Sequence, residues 1–276
     1  MTGPNEEEIA HWQQWVGKSQ AITERIEPLV LRRYAAALGE TYDERGAMPS
    51  LAHWAFFLEA VLPDALGPDG HPKRGGFLPP ISLPRRMFAA SDMQFLAPLM
   101  TGDSATKTSR VASLTHKSGR SGALILVEVE HSIEQAGALC IREMQTLVYR
   151  DASAPTAPIE NRHLFPATGE QLWQPGPVDL FRFSAVTFNS HRIHYDLPYA
   201  QHDEGYPGLV VHGPFTAARL FAFAQNRYGP LRRFSFRAQA PMFAGQPIIL
   251  RSGGEENQVC AVRCDGVEAF AAHFEI

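Results

Sequence analysis

Most of the side chains able to do chemistry fall in two neighbouring strings. These are Phe188-Asn-Ser-His-Arg-Ile-His-Tyr-Asp and Glu204-Gly-Tyr-Pro-Gly-Leu-Val-Val-His-Gly-Pro. His191 and His194 titrate near neutral pH and can give or take a proton. Asp196 and Asp203 add carboxylates, and the Arg192 guanidinium can hold a carboxylate through two parallel hydrogen bonds. Gly213 stands at the start of an apolar helix, where a backbone N–H and the positive helix end suit a developing oxyanion. Pro214 has no N–H, so Gly213 is the natural donor, and a glycine lets a ligand approach closely. The pattern is acid–base chemistry beside an anion-stabilising helix end. Plainer readings stand beside it. Asp196 precedes Leu-Pro-Tyr-Ala and fits a helix N-cap. Arg192 fits a solvated charge, Tyr206 a loop anchor, and His212 a packing residue or a support for Gly213. His191 and His194 are three apart, but no third ligand stands at a recognisable metal-site spacing. Cys260 and Cys264 lack a second pair, so no metal is expected there either.

The elements that must position these groups can be read on either side. Pro28 opens a helix over 28–38, proline being well placed in a first turn. Ser50 caps a second expected helix over 51–62, where Trp54, Phe57, Leu58 and Val61 fall at helical spacing. Ten of the 22 residues from Pro63 to Pro84 are Gly or Pro. Such a loop inside a compact domain is often functional, here as a cover for the cleft. Strands are expected at 110–116, 122–131 and 139–149, with hairpin turns at 117–122 and 135–137. After 151–177, a proline-rich linker, a buried helix over 213–228 runs from Pro214 to a terminating Gly229. Four strands follow, at 233–240, 247–251, 259–263 and 268–276.

The chain repeats itself. Pro28-Leu-Val-Leu-Arg-Arg-Tyr-Ala-Ala-Ala matches Pro177-Val-Asp-Leu-Phe-Arg-Phe-Ser-Ala-Val at an offset of 149. Ala97-Pro-Leu-Met-Thr-Gly-Asp matches Ala240-Pro-Met-Phe-Ala-Gly-Gln at an offset of 143. Two matches in one order point to a duplicated unit, residues 1–150 and 178–276. The 276 residues are 45% hydrophobic and 20% charged, enough for a real core. Net charge is −4 and the isoelectric point near 6.3, which gives no basic field for nucleic acid. No stretch approaches a membrane span, and the acidic start lacks the pattern of a signal peptide. Three cysteines are too few for a disulfide scaffold and suit a reducing cytoplasm.

Taken together, the two strings resemble the hydratase-2 signature of MaoC-like hydroxyacyl-thioester dehydratases of type 2, in their double hot-dog branch. The resemblance covers most of the chain. It implies an α+β fold in which two curved antiparallel sheets each wrap a long central helix. The catalytic signature survives only in the second unit. It also implies a hydro-lyase acting on an acyl-CoA thioester, with no cofactor and no metal. Such chemistry needs a base for water, an acid for the α-carbon, and donors for the enolate oxygen. His194 and Gly213 match the family's base and oxyanion site. The family's aspartate, five positions before the histidine, is Asn189 here, which cannot take a proton. Either His194 does both jobs or the partner is His191, Asp196 or Asp203. Arg192, Tyr206, His212, Arg85 and Arg86 are the expected substrate contacts. Within the branch, itaconyl-CoA or mesaconyl-C4-CoA, hydrated to citramalyl-CoA, is the expected substrate. The rival readings are a fatty 3-hydroxyacyl-thioester dehydratase, a hot-dog thioesterase and a non-catalytic acyl-CoA-binding module. No nucleic-acid or membrane partner is expected, and the protein is a monomer or homo-oligomer.

Overall fold

The structure, a computed structural model, describes residues 3–43, 48–119, 122–152 and 154–276. The elements are, in order, α1 (Glu6–Gln13), β1 (Ser19–Arg25), α2 (Pro28–Leu38), β2 (Arg85–Phe95), β3 (Ser104–Gly119), β4 (Gly122–Gln135), β5 (Ala138–Arg150) and β6 (Gln171–Trp173). They continue with α3 (Pro177–Val186), α4 (Leu197–His202), α5 (Gly213–Tyr228), β7 (Arg233–Ala238), β8 (Ile248–Ser252), β9 (Gln258–Arg263) and β10 (Glu268–Glu275). The expected strands are all present. The turn expected at 117–122 lies partly outside the described residues, at 120 and 121, although Gly119 pairs with Gly122.

One antiparallel sheet of ten strands runs β1-β3-β4-β5-β2-β7-β10-β9-β8-β6. Outward from the β2–β7 seam the two halves have the same strand order, and each strand of one half is five places later in sequence than its counterpart. The seam pairs Ala90–Gln94 with Gln94's partner Arg233 through Arg237. Arg233 clamps Asp92 across it with two hydrogen bonds of 2.9 and 2.6 Å. Sheet continuity across the seam makes the two halves one body. β6 lies inside the proline-rich stretch and pairs with β8.

α5 forms for the reasons the sequence gives. Pro214 sits in its first turn, Gly229 follows its last residue at φ 100, and Phe215, Ala217, Ala218, Leu220, Phe221 and Ala224 are buried. The alanines let the helix approach the sheet, where Phe221 meets Phe95 and Phe234 edge-on. Burying each large apolar side chain contributes roughly 1.5–3 kcal/mol. The two proline-started helices, α2 and α3, face each other, with Tyr34 and Phe183 ring centroids 6.1 Å apart.

The helix expected at 51–62 does not form. Only a 3-10 turn at Ala52–Ala55 is present, flanked by Leu51 at φ 55 and Phe57 at φ 59. Tertiary contacts override the spacing. The Leu51 carbonyl accepts from Tyr34, the Phe57 N–H donates to Glu24, and Trp54 donates to Glu143. Ser50 caps no helix; its N–H donates to Glu40. The double hot-dog architecture is borne out, but among the described residues only the second half has a long central helix.

Candidate active site

A cavity of about 740 Å³ opens at the seam. The first half contributes the 69–78 part of the Gly/Pro-rich loop and Arg85–Phe88 of β2; the second contributes residues 187–191, Ile193, His194, Tyr206, Gly213 and Phe270.

His194 lies in a 3-10 turn, Arg192–His194, and is buried. Its Nδ1 is 2.7 Å from the Val210 carbonyl oxygen, which can only accept. Nδ1 therefore carries the proton and Nε2 the lone pair. Burial pulls its pKa down to about 4, against the Val210 hydrogen bond, so the ring is neutral at pH 7. His212 stacks on it, ring centroids 3.6 Å apart, and is fully buried with Nε2 2.8 Å from the Ser184 hydroxyl. His212 is thus a floor for His194 and does not line the cavity. His191 meets His194 edge-on at 5.4 Å. Burial and then the neighbouring His71 and His194 pull its pKa down to about 2.

Asn189 lines the cavity, but its Oδ1 accepts from the His191 N–H at 3.0 Å, so it braces the turn. Gly213 opens α5 from the cavity wall. A Cβ there would meet nothing closer than the Phe88 carbonyl oxygen at 3.5 Å. Its N–H belongs to the unpaired first turn of the helix.

Other expected site residues are placed elsewhere. Asp196 caps α4 by accepting from the Tyr199 N–H at 3.1 Å and pairs with Arg192 at 2.7 Å. Arg192 also lies over the Tyr199 ring at 4.1 Å and donates to the Pro68 carbonyl. Neither lines the cavity, and Asp203 is an exposed residue at the end of α4. The expectation that Arg192 holds a substrate carboxylate, and that Asp196 shares the acid–base work, is corrected by these commitments. Tyr206, Arg85 and Arg86 do line the cavity. Arg85 is buried and pairs with Glu204 at 3.2 Å, its guanidinium 5.7 Å from the Tyr206 ring. With Lys73, Arg74 and Arg150 they place five cations on the cavity wall.

The sequence reading missed Asp69 and His71. His71 is the one histidine in the Pro63–Pro84 loop and stands two residues from a carboxylate, the signal that could have found it. Asp69 Oδ2 is 3.0 Å from His71 Nδ1, and Asp69 Oδ1 accepts the His71 backbone N–H at 3.0 Å. Burial raises the Asp69 pKa, but these hydrogen bonds hold it well below the usual carboxylate range. Asp69, His71 and His191 also offer one ligand atom each within 4.8 Å of one another, so a cation is sterically possible. The hydrogen bond already joining Asp69 to His71 describes a dyad.

Residues 51–244 match the family described as hydroxyacyl-thioester dehydratase type 2. The chain is 43% identical to the mesaconyl-C(4)-CoA hydratase of Chloroflexus aurantiacus over 97% of its own length and 98% of that enzyme's. Among solved structures it superposes on HtdX of Mycobacterium tuberculosis with a TM-score of 0.69 at 19% identity, covering 92% of this chain and 99% of that one. A second M. tuberculosis protein, described as having a double hotdog fold, gives 0.54 at 11% identity over 99% and 97% of the two chains. With a near-full-length enzyme relative and a shared fold, the chain belongs to the hydroxyacyl-thioester dehydratase type 2 family and is a MaoC-like hydro-lyase with a double hot-dog fold.

Proposed function

We propose that the protein hydrates a five-carbon dicarboxylic enoyl-CoA, with mesaconyl-C4-CoA or itaconyl-CoA converted to citramalyl-CoA. One observation carries this reading: at the seam, the neutral His194 and the start of α5 share a cavity with a wall of cations. His194 Nε2 accepts a hydrogen bond from the attacking water. The Gly213 N–H and the positive end of α5 hold the enolate oxygen that forms as water adds to the β-carbon. Preorganised donors of this kind are worth roughly 3–4 kcal/mol.

The second carboxylate of the acyl group needs a cation near the reacting carbons. Arg192 is committed to Asp196, and Arg85 to Glu204. Arg86 serves instead, since its charge is felt by both His71 and His191. Arg74 is held by the Ile81, Leu83 and Pro84 carbonyls. Arg150, and Lys73 with the two N–H groups it does not give to the Asp64 carbonyl, serve the phosphates of CoA. Both halves of one chain line the cavity, which supports activity as a monomer or as a homo-oligomer of complete sites. Three buried, unpaired cysteines fit a cytoplasmic setting.

The test is a kinetic panel of mesaconyl-C4-CoA, itaconyl-CoA and crotonyl-CoA, read as hydrated product and as free thiol. A charge-assisted hydrogen bond of about 1.5–3 kcal/mol predicts a preference of roughly 10- to 100-fold for the dicarboxylic esters over crotonyl-CoA. Arg86→Ala should erase it. Equal or better use of crotonyl-CoA by the unmodified protein overturns the substrate assignment. Thiol release without hydration would mark a thioesterase.

A further inference from the structure

The loop from Pro63 to Pro84 brings to the cavity a group that the reading above leaves unused. Asp69 orients His71 through Nδ1, so the His71 lone pair is on Nε2. Of the three imidazoles lining the cavity, those of His71, His191 and His194, only His71 has a hydrogen-bonded carboxylate behind it among the described residues. His194 is backed by a carbonyl, which orients the ring but adds no negative charge to balance an imidazolium. Burial pulls the pKa of both His71 and His194 down, that of His194 to about 4, but of the two only at His71 do a carboxylate's hydrogen bond and charge oppose it. Asn189 has no carboxylate to offer.

The dyad is locked to the turn that carries His194, although the two come from opposite halves. The Arg192 N–H donates to the Asp69 carbonyl at 2.9 Å, the Ser190 hydroxyl to the Gly70 carbonyl, and Arg192 Nη1 to the Pro68 carbonyl at 3.0 Å. Gly70 is at φ 87, and a Cβ on it would collide with the Ser190 carbonyl. His71 in turn lies on His191, ring centroids 4.1 Å apart, and His191 meets His194. A merely structural loop does not need a histidine and an aspartate aimed this way.

We propose that Asp69 and His71 form the acid–base dyad of the hydration, supplied by the first half in place of the carboxylate missing at Asn189. The proposal rests on the hydratase reading. His71 Nε2 takes one proton from the water that His194 Nε2 holds. The water oxygen bonds to the β-carbon, and the π pair moves onto the thioester oxygen at Gly213. The His71 imidazolium, its charge balanced by Asp69, then gives the same proton to the α-carbon as the enolate collapses. Water is divided between the two carbons and no outside proton is needed. Dehydration is the reverse.

The experiment compares His71→Gln, Asp69→Asn and Asp69→Glu with the unmodified enzyme on mesaconyl-C4-CoA. Acyl-CoA binding, measured by calorimetry, reports whether each variant is folded. The expected result is a kcat lower by about 100-fold or more for His71→Gln and about 10-fold or more for Asp69→Asn, with KM within about threefold and Asp69→Glu recovering most of the loss. A His71→Gln enzyme with kcat within about threefold of the original overturns the dyad, as does a loss confined to KM. So does activity that a chelator removes and Zn²⁺ restores, which would make Asp69, His71 and His191 metal ligands. If His71→Gln fails to fold, the histidine nitrogen spectrum of the unmodified protein decides: His71 must carry its proton on Nδ1, and an Nε2–H tautomer overturns the proposal. An unmodified protein that hydrates no member of the panel removes the hydratase reading and the dyad together. An active enzyme indifferent to His71→Gln removes the dyad alone.

Discussion

Two buried clusters of polar side chains, one in the first half and one at the seam, are built to opposite ends. In the first half, Glu143 is almost fully buried and completely partnered. His53 lies 3.3 Å from it, and Trp54, Ser91 and Gln145 all donate to its two oxygens. Burial raises its pKa, but the His53 hydrogen bond and charge bring it down to about 2, so it is ionised. At the seam, the imidazoles of His71 and His194 each have one nitrogen fixed and the other left as a lone pair in rings that line the cavity. Both clusters suffer desolvation. The first answers it with a full set of hydrogen bonds, as buried charges must. The second answers it by staying neutral, which leaves it acceptors for a substrate's protons. A saturated buried network is a support, whereas an unsaturated one beside a cavity is a site.

The strongest contrast between the clusters should be in turnover. His194→Ala should lower kcat by about a thousandfold or more with little change in melting temperature, because the acceptor that holds and aims the attacking water is lost. Near-normal turnover in that variant would mean that the seam cluster is another support. Its counterpart is Glu143→Ala, where the loss should be in stability. Removing the carboxylate leaves donors of His53, Trp54, Ser91 and Gln145 without their acceptor, at about 1–3 kcal/mol for each buried one in denaturant unfolding. A variant as stable as the original would show that the network carries no net stabilisation.

Acid should separate the clusters more finely. His194 has a folded pKa of about 4, below the ordinary histidine value of 6.5, so its protonation favours the unfolded chain. Its contribution is complete above pH 6.5 and is lost as pH falls from 6.5 towards 4. Glu143, at about 2 against an ordinary 4.5, contributes fully above pH 4.5 and loses that only as pH falls from 4.5 towards 2. His191, with a folded pKa of about 2, and His71, His131 and His212, all pulled down by burial, add to the loss that begins near pH 6.5. His194→Ala should therefore make the fall of melting temperature shallower between pH 6.5 and 4, and Glu143→Gln between pH 4.5 and 2. A slope unaffected by either variant would contradict the assignment of charge states.

A smaller effect tests how the halves are joined. Gly70→Ala places a methyl group against the Ser190 carbonyl at a left-handed φ. The left-handed backbone alone costs an alanine about 1–2 kcal/mol. The loop should lift from the 190–192 turn, lowering turnover more than stability. Unchanged kinetics would show that the loop contacts are incidental to the site.

How far the site was legible in the sequence follows from the range of the interactions. α5 and the strands are set by local signals: proline at the start, glycine at the end, apolar spacing between. These were read correctly. The strings holding His194, Asn189 and Gly213 are local as well. The helix expected at 51–62 failed because Tyr34, Glu24 and Glu143, all distant in sequence, claim Leu51, Phe57 and Trp54. Asp69 and His71 were missed for the same reason. The loop could be read as a cover for the cleft, but its docking on Ser190 and Arg192 spans some 120 residues and has no periodicity to betray it.

Arg192 shows the same limit in reverse, and it supplies the smallest expected effect. It stands between the two histidines of the signature, where a substrate-binding cation would be expected. The backbone of the 3-10 turn sends its side chain away from the cavity. Nε and Nη2 both donate to Asp196 Oδ2, at 2.9 and 2.7 Å, while the guanidinium lies on Tyr199 and Nη1 reaches the loop at Pro68. Every one of these partners is protein. A partly exposed pair of this kind contributes little on its own. Arg192→Ala should therefore leave KM for the dicarboxylic esters within about twofold and lower the melting temperature slightly, whereas Arg86→Ala raises KM selectively for those esters. A selective rise in KM for Arg192→Ala would place the substrate carboxylate on the far side of the turn, away from the dyad, and the cavity would have to be redrawn around it.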